Sequence, residues 1–539
     1  MTDQAPPRAA DILARRLYEA GCRHAFGMPG GEVLTIVDAL TRAGITFHLA
    51  KHENSAGFMG EGVHHIDGAP AILVATVGPG AMNGVNVVAN AEQDRVPLIV
   101  LTGCVDAHEA EMYTHQVLDH RAVFEPITKA TFTLTAQAAD VVADTAVAIA
   151  TEGRCGPVLV DVPISVADAP SKDRGMRRKR ASKLVPTGPD LAHARDWLHD
   201  AQRPLVIAGL DVIYDRSEAE LLNFIDTFGA PVITTYKAKG VIPETHPLSM
   251  GAAGLSPLAD SHLLPLVQAA DVIICVGYDP IEMRPGWQTP WDLSRQRVID
   301  IHAAPNLHYM HQASLSFIAD TGTTLEALTT GFDPRDDWPG REPTTTKAAL
   351  AKAFPKDDPW GPGAVIETCR RLLPANTIAT VDSGAHRILL SQMWTCNEPR
   401  TLLQSSGLCT MGCAVPLAIG AKMASPDTPV VSFSGDAGFL MVAGELATAA
   451  EFRVAPIFVV FVDSSLALIE LKQRQRQLPN QGVDFAGHDF AAIGQAFGGK
   501  GVTVTNRTEL TTALELALLD HRFTVIGAVI EPHSYDGRI

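Results

Sequence analysis

Positive charge is scarce: 43 Lys+Arg stand against 60 Asp+Glu in 539 residues, a net charge of −17 with His neutral. A nucleic-acid binder needs a dense basic face to displace counterions. The only basic run, 174–183 (RGMRRKRASK), lies between hydrophobic segments and reads as a solvated linker. Long apolar runs are missing as well. Segments such as 457–462 (IFVVFV) and 96–101 (VPLIVL) fall far short of the roughly 18 residues that span a bilayer, and read as buried strands. No basic segment followed by an apolar stretch marks the N-terminus, so no secretory signal is visible and a cytoplasmic location is expected. The eight cysteines include no C-x-x-C pair, and no His cluster joins Cys409 and Cys413 into a zinc set, so reduced, mostly buried thiols are expected. G-x-G-x-x-G, G-x-x-x-x-G-K-[ST] and G-x-S-x-G are all absent, which removes the simplest dinucleotide, P-loop and nucleophile-elbow readings.

What remains is a core-forming composition, 46 % hydrophobic with 6 % aromatics, at a length that suits about three domains. Short β-rich runs recur between helical stretches in three groups: 71–77, 97–102 and 157–162; 204–208, 231–235, 272–276 and 298–301; 377–381, 429–433, 457–462 and 524–530. Apolar strands without polar alternation belong to parallel sheets covered on both faces. The fold class is therefore α/β, with three doubly wound parallel-sheet domains. Two Pro- and charge-rich stretches, 169–189 and 332–362, mark linkers, the second with one short helical segment. Domains are expected at 1–170, 190–330 and 364–539. No short-period repeat points to a solenoid.

The chemistry concentrates where one strand run ends in Gly435-Asp436-Ala437-Gly438. Small residues at the carboxyl end of a parallel strand let backbone N–H groups approach a ligand, and the following helix N-terminus attracts phosphate. Taken alone this is a strand-to-helix turn. Twenty-seven residues after Asp436, however, the next strand ends in Asp463-Ser464-Ser465. Two neighbouring strands thus deliver oxygen ligands to one sheet edge, as a hard divalent cation and a diphosphate require.

This pattern resembles the thiamine-diphosphate-dependent enzymes of the acetohydroxyacid synthase and pyruvate decarboxylase superfamily, and the resemblance spans essentially the whole chain. It implies pyrimidine-binding, central and diphosphate-binding domains. It also implies thiamine diphosphate and Mg²⁺ as cofactors, with Asp436, Asp463 and the Ser465 carbonyl as metal ligands. Ala437 stands where Gly is usual and Asp463 where Asn is usual; Asp remains a competent Mg²⁺ ligand.

The segment from Lys51 to Gly62 resembles the family's H-E-x-x-A-x-x-M-A-E-G, which places Glu53 as the carboxylate that drives the cofactor's aminopyrimidine to its imino tautomer. The turn Met28-Pro29-Gly30-Gly31 resembles the first strand-to-helix turn, with Gly31 near substrate. The stretch Gly78-Pro79-Gly80-Ala81-Met82-Asn83 resembles S-G-P-G-A-x-N, and Gln116 falls on the glutamine facing the thiazolium. Gly384-Ala385-His386 resembles the diphosphate-contacting G-Q-H, with one donor lost at Ala385. Gly435, Ala437 and Gly438 flank the diphosphate, and Met411 falls on the methionine that bends the cofactor. His52, His64 and His65 read as structural, and His115 as an active-site neighbour.

The resemblance favours a carboligase of acetolactate-synthase kind, acting on a 2-keto acid such as pyruvate and a second carbonyl acceptor. A nonoxidative 2-keto acid decarboxylase is the alternative, and a silent scaffold a further one. Leu468 and Ile469 are expected beside the donor, Ile469 also touching the cofactor, and Lys472 replaces the aromatic residue that selects the acceptor. FAD in the central domain stays open, with ADP or an empty site, as in related decarboxylases, the alternatives, since the Arg of the family's R-F-D-D-R is not reproduced in Gly277-Tyr278-Asp279-Pro280-Ile281-Glu282, although Arg284 is close. The resemblance further implies a homodimer or homotetramer with active sites between subunits, and no nucleic-acid or membrane partner.

Overall fold

The computed structural model describes residues 6–112, 114–179, 181–280, 285–305 and 310–539. Three parallel sheets of six strands succeed one another along the chain. The first comprises β1 (His24–Met28), β2 (Thr46–Leu49), β3 (Ala71–Ala75), β4 (Leu98–Cys104), β5 (Ala130–Thr133) and β6 (Val158–Pro163). The second comprises β7 (Pro204–Ala208), β8 (Val232–Thr234), β9 (Ser249–Ala252), β10 (Val272–Val276), β11 (Arg297–His302) and β12 (Leu315–Ile318). The third comprises β13 (Ile378–Val381), β14 (Leu402–Gln404), β15 (Val430–Gly435), β16 (Ile457–Val462), β17 (Lys500–Val504) and β18 (Thr524–Val529).

The outer sheets share one topology. Their orders, β2-β1-β3-β4-β6-β5 and β14-β13-β15-β16-β18-β17, are the same sequence of moves. In both, the chain reverses direction between the first strand and the third, and ligands of open parallel sheets sit at the carboxyl ends of strands at such a switch point. The central sheet is wound differently, β12-β11-β10-β7-β8-β9, with its switch between β7 and β10.

Eleven strands correspond to the uninterrupted apolar runs of the sequence, and β1 to the segment matched by resemblance. The six strands that no apolar run announced are β2, β5, β9, β12, β14 and β17, the two outer strands of each sheet. An outer strand pairs on one side only and is less covered, so it carries polar residues, as in ATFT of β5 and KGVTV of β17.

The domains share cores. Val431 and Phe433 of the third sheet lie in one apolar cluster with Leu205 and Ile273 of the second. Another cluster joins Leu73 and Val100 of the first sheet to Val460 of the third. The tightest interdomain contact is a crossing of the Glu53–Asp67 helix on the Ala414–Ala424 helix. A Cβ on Gly62 would lie 2.4 Å from the Leu417 carbonyl oxygen, and one on Gly420 2.0 Å from that of Met59. Only glycine lets these backbones touch. The basic stretch 174–183 is pinned by ion pairs, Arg174 to Asp140 and Arg177 to Glu19 on the first domain, and Lys183 to Asp320 on the second. All eight cysteines are free; Cys409 is exposed and Cys104 half-buried. Among the described residues no helix is long and apolar enough to cross a membrane.

Candidate active site

The residues singled out from the sequence gather at the carboxyl edges of the first and third sheets. In the first domain, the turn after β1 packs on the turn after β3. A Cβ on Gly30 would meet Thr76 Oγ1 at 2.2 Å, and that hydroxyl donates to Glu32 at 2.6 Å. Glu53 opens its helix just after β2, where His52 caps by accepting from the Asn54 N–H at 3.1 Å. The Glu53 side chain is 3 % exposed, and its Oε2 accepts from Asn83 Nδ2 at 3.0 Å. Gly80 clears the other oxygen, since a Cβ there would stand 3.1 Å from Oε1. Gln116 sits in the left-handed region (φ 59°), and a Cβ on Gly78 would lie 3.2 Å from its own Cβ. His115 and Gln116 are exposed on this loop, and Gly31 has open space where a Cβ would point.

Beneath that loop lies a relay the sequence did not reveal. The Gly78 N–H donates to His120 Nε2 at 3.2 Å, and His120 Nδ1 is 2.9 Å from Asp161 at the end of β6. With Nε2 accepting, the proton sits on Nδ1 and faces the carboxylate, so the buried imidazole is neutral in one tautomer. These residues lie too far apart in sequence to form a motif; the one clue is that Asp161 interrupts an otherwise apolar strand.

In the third domain, Asp436 starts the helix after β15 and is 2 % exposed. Its Oδ2 accepts from the N–H groups of Asp463 (3.2 Å) and Ser464 (2.7 Å), and its Oδ1 from Ala437 (2.8 Å). The ends of β15 and β16 are thereby tied together. Burial pushes the Asp463 carboxyl up to about 7, with the Asp436 charge adding to the shift. Burial raises Asp436 too. Two neighbouring carboxyls held above their ordinary range by burial are a donor set that a hard divalent cation would relieve. The Ser465 hydroxyl is engaged with Asp484 at 2.7 Å.

Across the switch point, the Ala385–Met393 helix begins beside the same edge. His386, held down to about 3 by burial, stacks on Phe461. Its buried Nε2 has no hydrogen-bond partner among the described residues, nor has Ser383 Oγ. A Cβ on Gly435 would be 3.3 Å from the His386 ring. Two helix N-termini, an uncommitted imidazole and an uncommitted hydroxyl around a glycine turn form a cradle suited to phosphate oxygens. Ala385 turns its methyl into the core, 3 % exposed. Met411 is half-buried beside Gly412, which is left-handed (φ 80°). The Gly412 and Cys413 N–H groups donate to Asp382, at 2.9 and 3.1 Å, and Gly438 leaves room for that carboxylate.

The structure separates the residues expected on the Ala467–Gln475 helix. Leu468 packs against the apolar junction containing Tyr236 and Ile388, whereas Ile469 is 44 % exposed and Lys472 shares its outer face. Successive helical residues point about 100° apart, so Leu468 and Ile469 do not form one wall. His64 bonds the Ala69 carbonyl at 2.7 Å and His65 bonds Glu61 at 3.2 Å, both inside the fold.

In the central domain, Ile281, Glu282 and Arg284 lie outside the described residues. The turns at its switch point touch, since a Cβ on Gly209 would be 2.2 Å from the Gly277 carbonyl oxygen. Arg95 of the first domain spans them, at 2.5 Å to Asp211 and 2.7 Å to Asp279.

Three family models match the chain. "Thiamine pyrophosphate enzyme, N-terminal TPP binding domain" covers residues 7–123, the central domain of the same enzymes covers 191–328, and the C-terminal TPP binding domain covers 382–528. The acetolactate synthase of Bacillus subtilis (strain 168) is 29 % identical over 522 residues, 94 % of this chain and 90 % of that one. The acetolactate synthase isozyme 1 large subunit of Escherichia coli (strain K12) is 30 % identical, covering 94 % and 91 % respectively. The acetolactate synthase large subunit of Corynebacterium glutamicum is 30 % identical, covering 98 % and 87 %. Matched by these models and relatives along most of its length, the chain belongs to the thiamine-diphosphate-dependent enzymes and is an enzyme of acetolactate synthase type.

Proposed function

We propose that the protein decarboxylates a 2-keto acid such as pyruvate and transfers the acyl unit to a second carbonyl compound, with Mg²⁺ holding the cofactor's diphosphate. The observation that carries this reading is the meeting of Asp436, Asp463 and the uncommitted His386 imidazole at one switch-point edge. Asp436, Asp463 and the Ser465 carbonyl are the metal ligands. Gly384, His386, Gly435 and the helix starts at Ala385 and at Ala437 and Gly438 receive the diphosphate. When bound, thiamine diphosphate supplies the electron sink that lets the keto acid's carbon–carbon bond break and CO₂ leave.

Glu53 holds and returns a proton at the pyrimidine ring nitrogen. Asn83 fixes that carboxylate through Oε2, which leaves Oε1 to the ring. Pro29, Gly30, Gly78 and Gly80 would bring backbone close to the pyrimidine, and Met411 would support the cofactor from the third domain. Gln116, with His115 next to it in the chain, faces the keto acid from a loop packed on Gly78, whose N–H the His120–Asp161 pair holds, and Gly31 lies near the substrate too. Ile469 and Lys472 share an outer helix face at the side where the acceptor enters. The acyl unit forms a new carbon–carbon bond to the acceptor carbonyl, whose oxygen takes up a proton; the sum is redox-neutral.

The active unit is a homodimer or homotetramer. Apolar side chains beside the site loops support this, Met112 being 74 % exposed and Met441 62 %, as an interface-forming surface would have them.

The test is incubation of the holoprotein with a panel of 2-keto acids, with and without added carbonyl acceptors, and mass-spectrometric identification of products. CO₂ release with a ligated product is expected. Release with only a free aldehyde would replace the carboligase by a simple decarboxylase, and silence across the panel would remove both.

A further inference from the structure

A cavity of about 520 Å³ opens between the central domain and the helices that lead into the third domain. Five cationic side chains line it, Lys239, Lys347, Lys356, Arg370 and Arg371, against two acidic ones, Glu244 and Glu367. Both acids are already committed. Glu244 pairs with Lys239, and Glu367 pairs with Arg371 at 3.1 Å and with Arg507. Lys347, Lys356 and Arg370 therefore have no ion-pair partner among the described residues.

Two of these three cations are held in place by dipoles rather than by opposite charge. Lys347 donates to the carbonyls of Glu244 and His246. Arg370 donates to the Leu373 carbonyl at 3.0 Å and lies 4.4 Å over the Trp394 ring. Burial pulls both below their ordinary range, and for Lys347 it outweighs the opposing pull of Glu244. The rest of the lining includes apolar side chains, Met250, Leu350, Phe354 and Met393.

We propose that this cavity binds an organic anion bearing two or more phosphate groups on an apolar body of nucleotide size. The volume lies in the range of small-molecule pockets, and an apolar wall with a few convergent polar groups is their usual make-up. A single carboxylate would leave most of the positive charge uncompensated, whereas linked phosphates can meet all three cations. The site is distinct from the central switch point, since no residue of the Gly209 or Gly277 turns lines it. Gln392 and Met393 in its wall end the helix that begins at Ala385 and His386. An occupant would thus bear on the far end of the helix that meets the diphosphate cradle.

The test is titration calorimetry on the full chain saturated with thiamine diphosphate and Mg²⁺, using ADP as probe. One ADP per chain is expected, with adenosine and inorganic pyrophosphate each about tenfold weaker or more, because each lacks one half of the recognition. Lys356→Glu, at an exposed position, should weaken ADP about tenfold or more while leaving the melting temperature and thiamine diphosphate affinity unchanged. Lys347→Gln should act in the same direction. Absence of heat at millimolar ADP overturns the proposal. Equal ADP affinity in both variants overturns it as well, and so does a signal that appears only when thiamine diphosphate is left out.

Discussion

Asn83 holds Glu53 by one oxygen only, with Nδ2 3.0 Å from Oε2, while Gly80 keeps Oε1 clear. If Glu53 moves the proton at the pyrimidine nitrogen, Glu53→Gln should still bind thiamine diphosphate but slow hydrogen–deuterium exchange at the thiazolium carbon by roughly 10²–10⁴-fold. Asn83→Ala should slow it less, by about tenfold, because the carboxylate stays but loses its orientation. Exchange followed by NMR after acid quench reads both, and an unchanged rate in Glu53→Gln would take its role away.

At the junction of β15 and β16, burial and the Asp436 charge raise the proton affinity of Asp463, and burial raises that of Asp436. A divalent cation offsets that repulsion, so Asp463→Ala should raise the Mg²⁺ concentration needed for thiamine diphosphate binding by about tenfold or more. Asp463→Asn keeps a ligand oxygen and removes the charge, and should retain most of the metal affinity. Metal titrations followed by cofactor-induced fluorescence change measure this; superimposable curves for wild type and Asp463→Ala would rule the ligand out.

Gly438 is the position where the turn tolerates no side chain. A Cβ there would fall 2.0 Å from Asp382 Oδ2, the oxygen that accepts from the Gly412 N–H. Gly438→Ala should therefore displace Asp382, loosen the turn carrying Met411, and cost about 1–3 kcal/mol of stability. Thermal melting and cofactor affinity should fall together. Ala437, one position earlier, is half-buried with its N–H on Asp436, so Ala437→Gly should change neither greatly.

The fold was legible in the sequence where strands are buried on both faces, because an uninterrupted apolar run has no other stable place in a protein of this composition. β2, β5, β9, β12, β14 and β17 escaped for the same reason: at a sheet's margin the demand for apolar residues relaxes. The acidic pair Asp436 and Asp463 was legible because consecutive strands of a parallel sheet commonly lie side by side, as β15 and β16 do. The supports of the site were not. His120 meets Asp161 across 41 positions and Asp382 meets Gly412 across 30, with no periodicity to announce either. Leu468 and Ile469 were grouped as neighbours in sequence, although a helix sends them to different faces.

The junction of the domains carries a pH dependence of its own. Glu61 is 1 % exposed, accepts from Asn90 Nδ2 at 3.0 Å and faces His65 at 3.2 Å, with Lys237 close enough to lower its proton affinity in part. Burial nevertheless pushes its carboxyl up to about 7 from the ordinary 4.5. The folded protein thus binds a proton that the unfolded chain releases, and stability falls as pH rises between those values. The contribution is fully present below about 4.5 and lost as pH climbs through about 7; its size is up to about 3 kcal/mol. The buried His64 and His65, held low by desolvation, act in the opposite sense over part of this window, so wild type alone cannot isolate the effect. Glu61→Gln can, because it keeps an acceptor for Asn90 and removes the titration. The melting temperature of Glu61→Gln relative to wild type should rise steadily from pH 5 to pH 8. Parallel curves would mean that the proton bound on folding resides elsewhere.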